Sequence, residues 1–384
     1  MTMISAQIYQ AILDTTCHIQ QIPGFTFHES QRAAFVAQEF SRRGLKDVHT
    51  DEAGNVWARY PGGDARPLVI TAHMDSVHPA LEPPLPLVRG PERITGPGIG
   101  DNALGVAAML GLVDYWHATR PVFPGSVWLV ATVCEEGLGN LKGIRAVVEC
   151  LGNDVLAYIV LEGIGLGNVF HRGLGVERFR IQVQTAGGHS WLNYGQASAI
   201  HEMAHLVTRI SAIPVPKKPR TTLNVGTFHG GTAINSIASQ AVIELDLRSE
   251  SPTTLAALVN EVRGLVAKMS RAGLALKMEN IGSRPAGEIA HDHPLVRLAE
   301  EAIRRNGIHP YFGIASTDAN IPLSRGLPAI CTGITTGGSS HTENEYIECQ
   351  PVYRGMTHLI AMAEGAWNAM AGFTPPTLRK DRLP

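Results

Sequence analysis

Cysteine is scarce in this sequence and cannot all be paired. Five occur among 384 residues, an odd number at irregular spacings and with no CxxC. That argues against a disulfide framework or a thiolate zinc site, and it points to a reducing cytoplasm. A basic excess is also missing. The 32 Lys and Arg are met by 34 Asp and Glu, so the footprint of a nucleic-acid binder is absent. No stretch approaches the ~20 uninterrupted apolar residues of a membrane span. Residues 1–20 lack a basic segment followed by an apolar core, so no secretory signal is expected. Charge is too sparse for disorder, at 17% against 44% hydrophobic residues. What remains is a globular chain too long for one core, and two domains are expected. It carries 40 Gly and 16 His, a composition that suits a metal site built on tight turns.

Helices are expected over residues 4–20 and 29–43, where apolar residues recur at three and four, and over 103–117, 294–305 and 352–370. The apolar runs at 67–72 (PLVITA), 126–133 (SVWLVATV) and 155–161 (VLAYIVL) read as strands buried on both faces. Shorter strands fall at 55–60 and near 330–332. Strands alternating with helices imply a mixed, largely parallel sheet flanked by helices. The texture changes near residue 174. Polar and apolar residues alternate over 177–184, a helix follows over 197–213, then strands at 222–228 and 241–248, a helix over 253–271 and a strand at 274–280. This β-α-β-β-α-β order is that of a small α+β, ferredoxin-like sandwich. The expected architecture is an α/β domain in two segments, 1–173 and 286–384, interrupted by an inserted domain at 174–285.

Polar groups sit directly at the ends of the three apolar strands. His73 and Asp75 follow PLVITA, Glu135 and Glu136 follow SVWLVATVC, and Glu162 follows VLAYIVL. Parallel neighbours bring such groups to one sheet edge, where α/β proteins bind ligands. Asp101 lies in the Gly-rich loop GPGIGDN and His341 in GGSSHTENE. Each has an ordinary reading alone: Asp101 as a helix N-cap, His341 as a surface loop histidine, Glu135-Glu136 as a solvated strand end. Together they concentrate negative charge that repels itself unless cations neutralise it. Imidazole and carboxylate without thiolate suit Zn²⁺, and also Mn²⁺ or Co²⁺.

In order along the chain, HMD, GPGIGDN, CEEG, LEG, GGHS, GGTAIN and SSHTENE resemble the motifs of the M20 family of dinuclear zinc peptidases and deacylases. CEEGLGNLKG and STDANIPLSRGLPAICTG are similar to its peptidase T-like branch. The resemblance spans about residues 65 to 350. It implies that His73 and Glu162 hold one metal, that Glu136 and His341 hold the other, and that Asp101 bridges them. It makes Glu135 the general base of a metal-activated water and Asp75 the partner of the far His73 nitrogen. It also implies a cis peptide bond after Asp101, an oxyanion donor at His189, substrate contacts at Asn235 and Arg248, and a homodimer formed through the inserted lid domain. Without it, His189 is a turn residue after two glycines, and Arg248 a cation paired with Asp246 or Glu250. Two departures stand out. Asn102 occupies a position where the family usually has Asp or Lys. The segment after STD has no basic residue, which argues against recognition of a free carboxylate there.

The implied activity is cleavage of an amide bond in small peptides, of the di- or tripeptide or exopeptidase type. An N-acyl-amino-acid deacylase using the same site is the rival. Two remoter readings are a non-catalytic M20-like binding protein and a mononuclear zincin built on His201-Glu202-Met203-Ala204-His205, a literal HExxH. The zincin reading lacks its third ligand, because Thr208 and Ser211 stand where the extended motif needs Gly and His. Both histidines also lie off the apolar stripe of Ile200, Met203, Val207 and Ile210, where solvated residues belong.

Overall fold

The apolar runs become the central strands of one mixed sheet. A computed structural model of the chain describes residues 4–78 and 83–373. It divides into two compact units: Met1–Gly173 with Gly287–Pro384, and Leu174–Ala286.

In the first unit the strands expected at 55–60 and 67–72 are one element, Val56–His73. It flanks the strand Gly125–Thr132 on both sides. Its first half runs against that strand, with Val56 opposite Ala131 and Tyr60 opposite Val127. Its second half runs along it, with Leu68 opposite Val127 and His73 opposite Thr132. The chain must therefore cross the start of Gly125–Thr132, and it does so at Gly62 and Gly63. A Cβ on Gly62 would stand 2.1 Å from the Gly125 carbonyl oxygen, and one on Gly63 2.6 Å from that of Pro124. Only glycine passes so close to backbone. The strand Ala157–Ile164 pairs in parallel with the second half, and Ala329–Thr335 pairs in parallel with Ala157–Ile164. Asn168–Gly173 lies beyond, with Tyr311–Ala315 parallel to it.

Helices cover this sheet. Leu104–Thr119 is apolar nearly all round because it is buried nearly all round, between Ala6–Gln21 and the sheet. Val352–Ala369 packs on Ala329–Thr335 and on the helix Pro294–Arg305. A helix at Lys142–Leu151 was not anticipated. No helix among the described residues is long and apolar enough to cross a membrane. All five cysteines are free thiols.

The second unit is a four-stranded antiparallel sheet in the order Thr221–Gly230, Gln240–Ser249, Gly175–Thr185, Leu274–Arg284. The helices Ala199–Ser211 and Pro252–Met269 touch each other and the same two central strands, so both lie on one face. Phe179, Ile181 and Val183 point to that face and are buried with Met203, Leu206, Ile243 and Val262.

Candidate metal centre

Three parallel strand ends deliver the first groups. His73 is the last residue of Val56–His73, Glu135 and Glu136 follow Gly125–Thr132, and Glu162 lies near the end of Ala157–Ile164. Asp101 comes from the turn Ile99–Ala103 and His341 from the loop after Gly337–Gly338. These segments converge. His73 Nε2 stands 3.1 Å from Asp101 Oδ1 and 3.5 Å from Glu162 Oε2. His341 Nε2 stands 3.1 Å from Asp101 Oδ2 and 3.2 Å from Glu136 Oε1. The two oxygens of Asp101 thus face different imidazoles. Donor atoms of His73, Asp101 and Glu162 lie within 4.8 Å of one another, as do those of Asp101, Glu136 and His341. Glu135 forms a third such group with His73 and Glu136.

The donor set and its spacing fit divalent ions. Two ligand atoms on a tetrahedral zinc, each about 2.0 Å from it, stand about 3.3 Å apart, and the contacts above span 3.1 to 3.5 Å. The charges point the same way. Burial alone pulls the basicity of His73 down, but Glu162, Asp101 and Asp75 reverse this and raise it well above the usual imidazole value. Hydrogen bonds to Asp101 and Glu136 raise His341 to about 10. Burial pushes Glu162 up to about 7, opposed by His73 and aided by Asp101 and Glu136. Burial works against ionisation of Asp101 too, but the two imidazoles hold it well below the usual carboxylate range. The site calls for positive charge, and without metal the imidazoles can supply it only as protons.

The supporting residues explain why the ligands sit where they do. Asp75 is fully buried and does more than flank one histidine. His73 Nδ1 lies 3.1 Å from the Asp75 carbonyl oxygen and 3.4 Å from Oδ1. The same carboxylate accepts the backbone N–H of Glu135 at 3.0 Å and of Glu136 at 2.9 Å, and the Thr26 hydroxyl at 3.0 Å. Arg32 is buried behind it and donates to the carbonyls of Met74 and Ile22. Burial lowers the Arg32 pKa to about 10, against the pull of Asp75 and Glu29.

Asp101 is not the cap of the following helix. Its carboxylate faces the imidazoles, and Asn102 takes the local role instead, accepting the Gly105 N–H at 3.1 Å. Asn102 also donates to the carbonyl of Leu161 at 2.8 Å, one residue before Glu162. An amide can do both, whereas an ionised Asp cannot donate. The Asp101-Asn102 peptide bond is cis. Asp318 and Asn320, in the segment lacking a basic residue, are buried. Asp318 accepts the Thr132 hydroxyl at 2.6 Å and Asn320 the Thr317 N–H at 3.0 Å.

Two contributors had escaped sequence reasoning. Arg32 sits on a helix that looked merely amphipathic. Glu345 lies four residues after His341, and its buried carboxylate accepts N–H groups from Gly100, Asp101 and His341. Burial pushes that carboxyl up to about 7 despite these bonds. The only signal was the run of acids and amides around His341, which reads as a solvated loop.

His189, Asn235 and Arg248 all belong to the second unit. His189 lies on a two-residue strand paired with Ser236–Ile237. Its Nδ1 accepts the N–H of Trp191 at 3.2 Å and of Leu192 at 3.4 Å. A neutral His189 therefore carries its proton on Nε2 and can donate from there. Asn235 accepts the Ser190 N–H through its backbone carbonyl at 3.0 Å. Arg248 donates to Asp246 at 2.7 Å. The HExxH segment lies on Ala199–Ser211 with both histidines exposed, and Glu202 accepts from Arg271 at 2.7 Å. No His, Cys, Asp or Glu completes a group of three with them among the described residues.

Known proteins carry the same fold and sequence pattern. The structure superimposes on a tripeptidase from Staphylococcus aureus with a TM-score of 0.80 at 23% identity, covering 96% of this chain and 100% of that one. A succinyl-diaminopimelate desuccinylase from Bordetella parapertussis is 28% identical over 299 residues, 72% of this chain and 76% of its own. A probable carboxypeptidase from Arthroderma otae is 27% identical over 266 residues, 64% of this chain. The chain spans only 57% of that relative's length. The profile of peptidase family M20/M25/M40 matches residues 69–365, which contain every group of the cluster described above. Because that match takes in well over half of the sequence, the chain belongs to peptidase family M20/M25/M40.

Proposed function

We propose that the chain hydrolyses an amide bond in small peptides, of the di- or tripeptide or exopeptidase type, with two divalent ions. His73 and Glu162 would hold one, Glu136 and His341 the other, and Asp101 would span both. The observation that carries this reading is the division of Asp101, whose two oxygens face two separate imidazole–carboxylate pairs. Zn²⁺ suits the donors, and Mn²⁺ or Co²⁺ also would. Bound there, such ions lower the pKa of a water and polarise a carbonyl.

The chain's own residues do the rest. Glu135 is buried beside the cluster, and its carboxylate takes the water proton and later delivers it to the leaving nitrogen. Asp75 holds the backbone of Glu135 and the far side of His73 in one grip, so base and ligand keep their relative places. His189, donating from Nε2, is assigned to the developing oxyanion, and Asn235 and Arg248 to the substrate. A cytoplasmic homodimer belongs to the same proposal. Thr221–Gly230 and Leu274–Arg284 are the outer strands of their sheet, the positions at which strands of a second copy can add.

The carboxypeptidase relative supports a peptidase, and the desuccinylase relative supports an N-acyl-amino-acid deacylase. Both reactions break an amide with the same donors. One preparation should be assayed for bound metal and for turnover of dipeptides, tripeptides and N-acyl amino acids. Peptide cleavage with about two ions per chain is expected. Turnover of N-acyl amino acids alone would replace the first reading by the second. A Glu135→Gln variant should keep its metal and lose about 100- to 10,000-fold in kcat; normal turnover would remove Glu135 from the role of base.

A further inference from the structure

Glu345 touches both halves of the cluster without offering it a ligand atom. It precedes the strand Tyr346–Glu348, and its side chain is fully buried. Its Oε1 accepts the N–H of Gly100 and of Asp101, both at 2.7 Å, and its Oε2 accepts the N–H of His341 at 3.3 Å. Hydrogen bonds to an ionised acceptor are the stronger class. One side chain thus ties together two backbone segments whose own side chains meet at 3.1 Å, His341 on Asp101. The His341 segment needs such a tie. Ser339 and His341 both adopt left-handed backbone, with φ of 58° and 65°. Non-glycine residues keep that conformation where the surroundings over-determine it.

We propose that Glu345 is a positioning residue that locks the backbone of Gly100 and Asp101 to that of His341, setting the donors of Asp101 and His341 before any ion arrives. The inference rests on the two-ion reading above. Glu345→Gln is the discriminating change because it preserves size. The amide oxygen can still accept from Gly100 and Asp101, but its NH₂ must then face the His341 N–H, donor against donor. The defect therefore falls on the His341 side of the cluster.

Zn²⁺ is titrated into metal-free protein in competition with a chelator. Wild type should take two ions. Glu345→Gln should keep one at near-wild-type affinity and bind the other about 10- to 100-fold more weakly, the usual penalty for losing a group that orients a ligand. A general loss of structure would weaken both. Two ions bound as in wild type, or both weakened alike, overturns the proposal. A wild-type chain that takes fewer than two ions overturns the two-ion reading itself. A second measurement does not depend on the variant folding. In metal-free wild type, hydrogen exchange should find the amides of Gly100, Asp101 and His341 protected. Exchange at the rate of unstructured chain at these three amides overturns the proposal as well.

Discussion

At the scale of single residues, the burial of His358 has a consequence outside the metal cluster. Its ring is fully buried, with Nε2 3.0 Å from the Thr332 hydroxyl oxygen. That hydroxyl already donates to the Asn168 carbonyl, so Nε2 must carry the proton and donate to it. Nδ1 is then a buried lone pair with no partner among the described residues. Burial lowers the His358 pKa to about 4. The unfolded chain, with an ordinary imidazole near 6.5, takes up this proton first as the pH falls. The stabilisation is present above pH 6.5 and is lost between there and about 4, a change of roughly 3 kcal/mol. Urea unfolding of wild type and His358→Leu across this range should show a flatter pH dependence in the variant. Parallel curves would mean that His358 is not held neutral.

At the scale of elements, the helix Val352–Ala369 lies directly on the strand Ala329–Thr335, and Gly355 sets how closely. A Cβ there would stand 1.8 Å from the Ile334 carbonyl oxygen. Gly355→Ala should therefore destabilise by about 1–3 kcal/mol despite alanine's better helix propensity. An unchanged denaturation midpoint would show that the helix simply shifts outward. Such contacts were not legible in the sequence, although the elements themselves largely were. Long apolar runs and strong alternation specify a strand locally, which is why 126–133 and 155–161 fall on observed strands within two or three residues. The union of 55–60 with 67–72 was hidden because Pro61–Gly62–Gly63 reads as a break. Extended pairing across the next strand overrides that local signal. Part of the cluster was legible because His73, Glu136 and Glu162 stand at or just past strand ends, whereas Asp101 and His341 lie in loops and were tied to it by the family's motifs. Glu345 and Arg32 were not legible, because they act through backbone groups supplied by distant segments, and no spacing along the chain records that.

At the scale of the whole molecule, the second unit has the makings of an independent domain. Its first and last strands are neighbours, with Val176 opposite Arg284, so the chain enters and leaves at one place. It buries its own core, from Phe179 to Leu274. Short separation between ends is what makes an inserted domain tolerable. The isolated segment 174–286 should therefore fold, with a cooperative thermal transition followed by circular dichroism. A featureless melt would show that it depends on the rest of the chain.

The strand Gly125–Thr132, clasped on both flanks by one continuous piece of chain, limits how this protein can vary. One flank climbs while the other descends, so adding or removing a residue at the Gly62-Gly63 crossing would throw the two flanks out of phase with each other. His73 is the terminus of that count. An insertion or deletion inside this clasp would therefore displace His73 from the cluster, whereas one in an outer connection would leave that count intact.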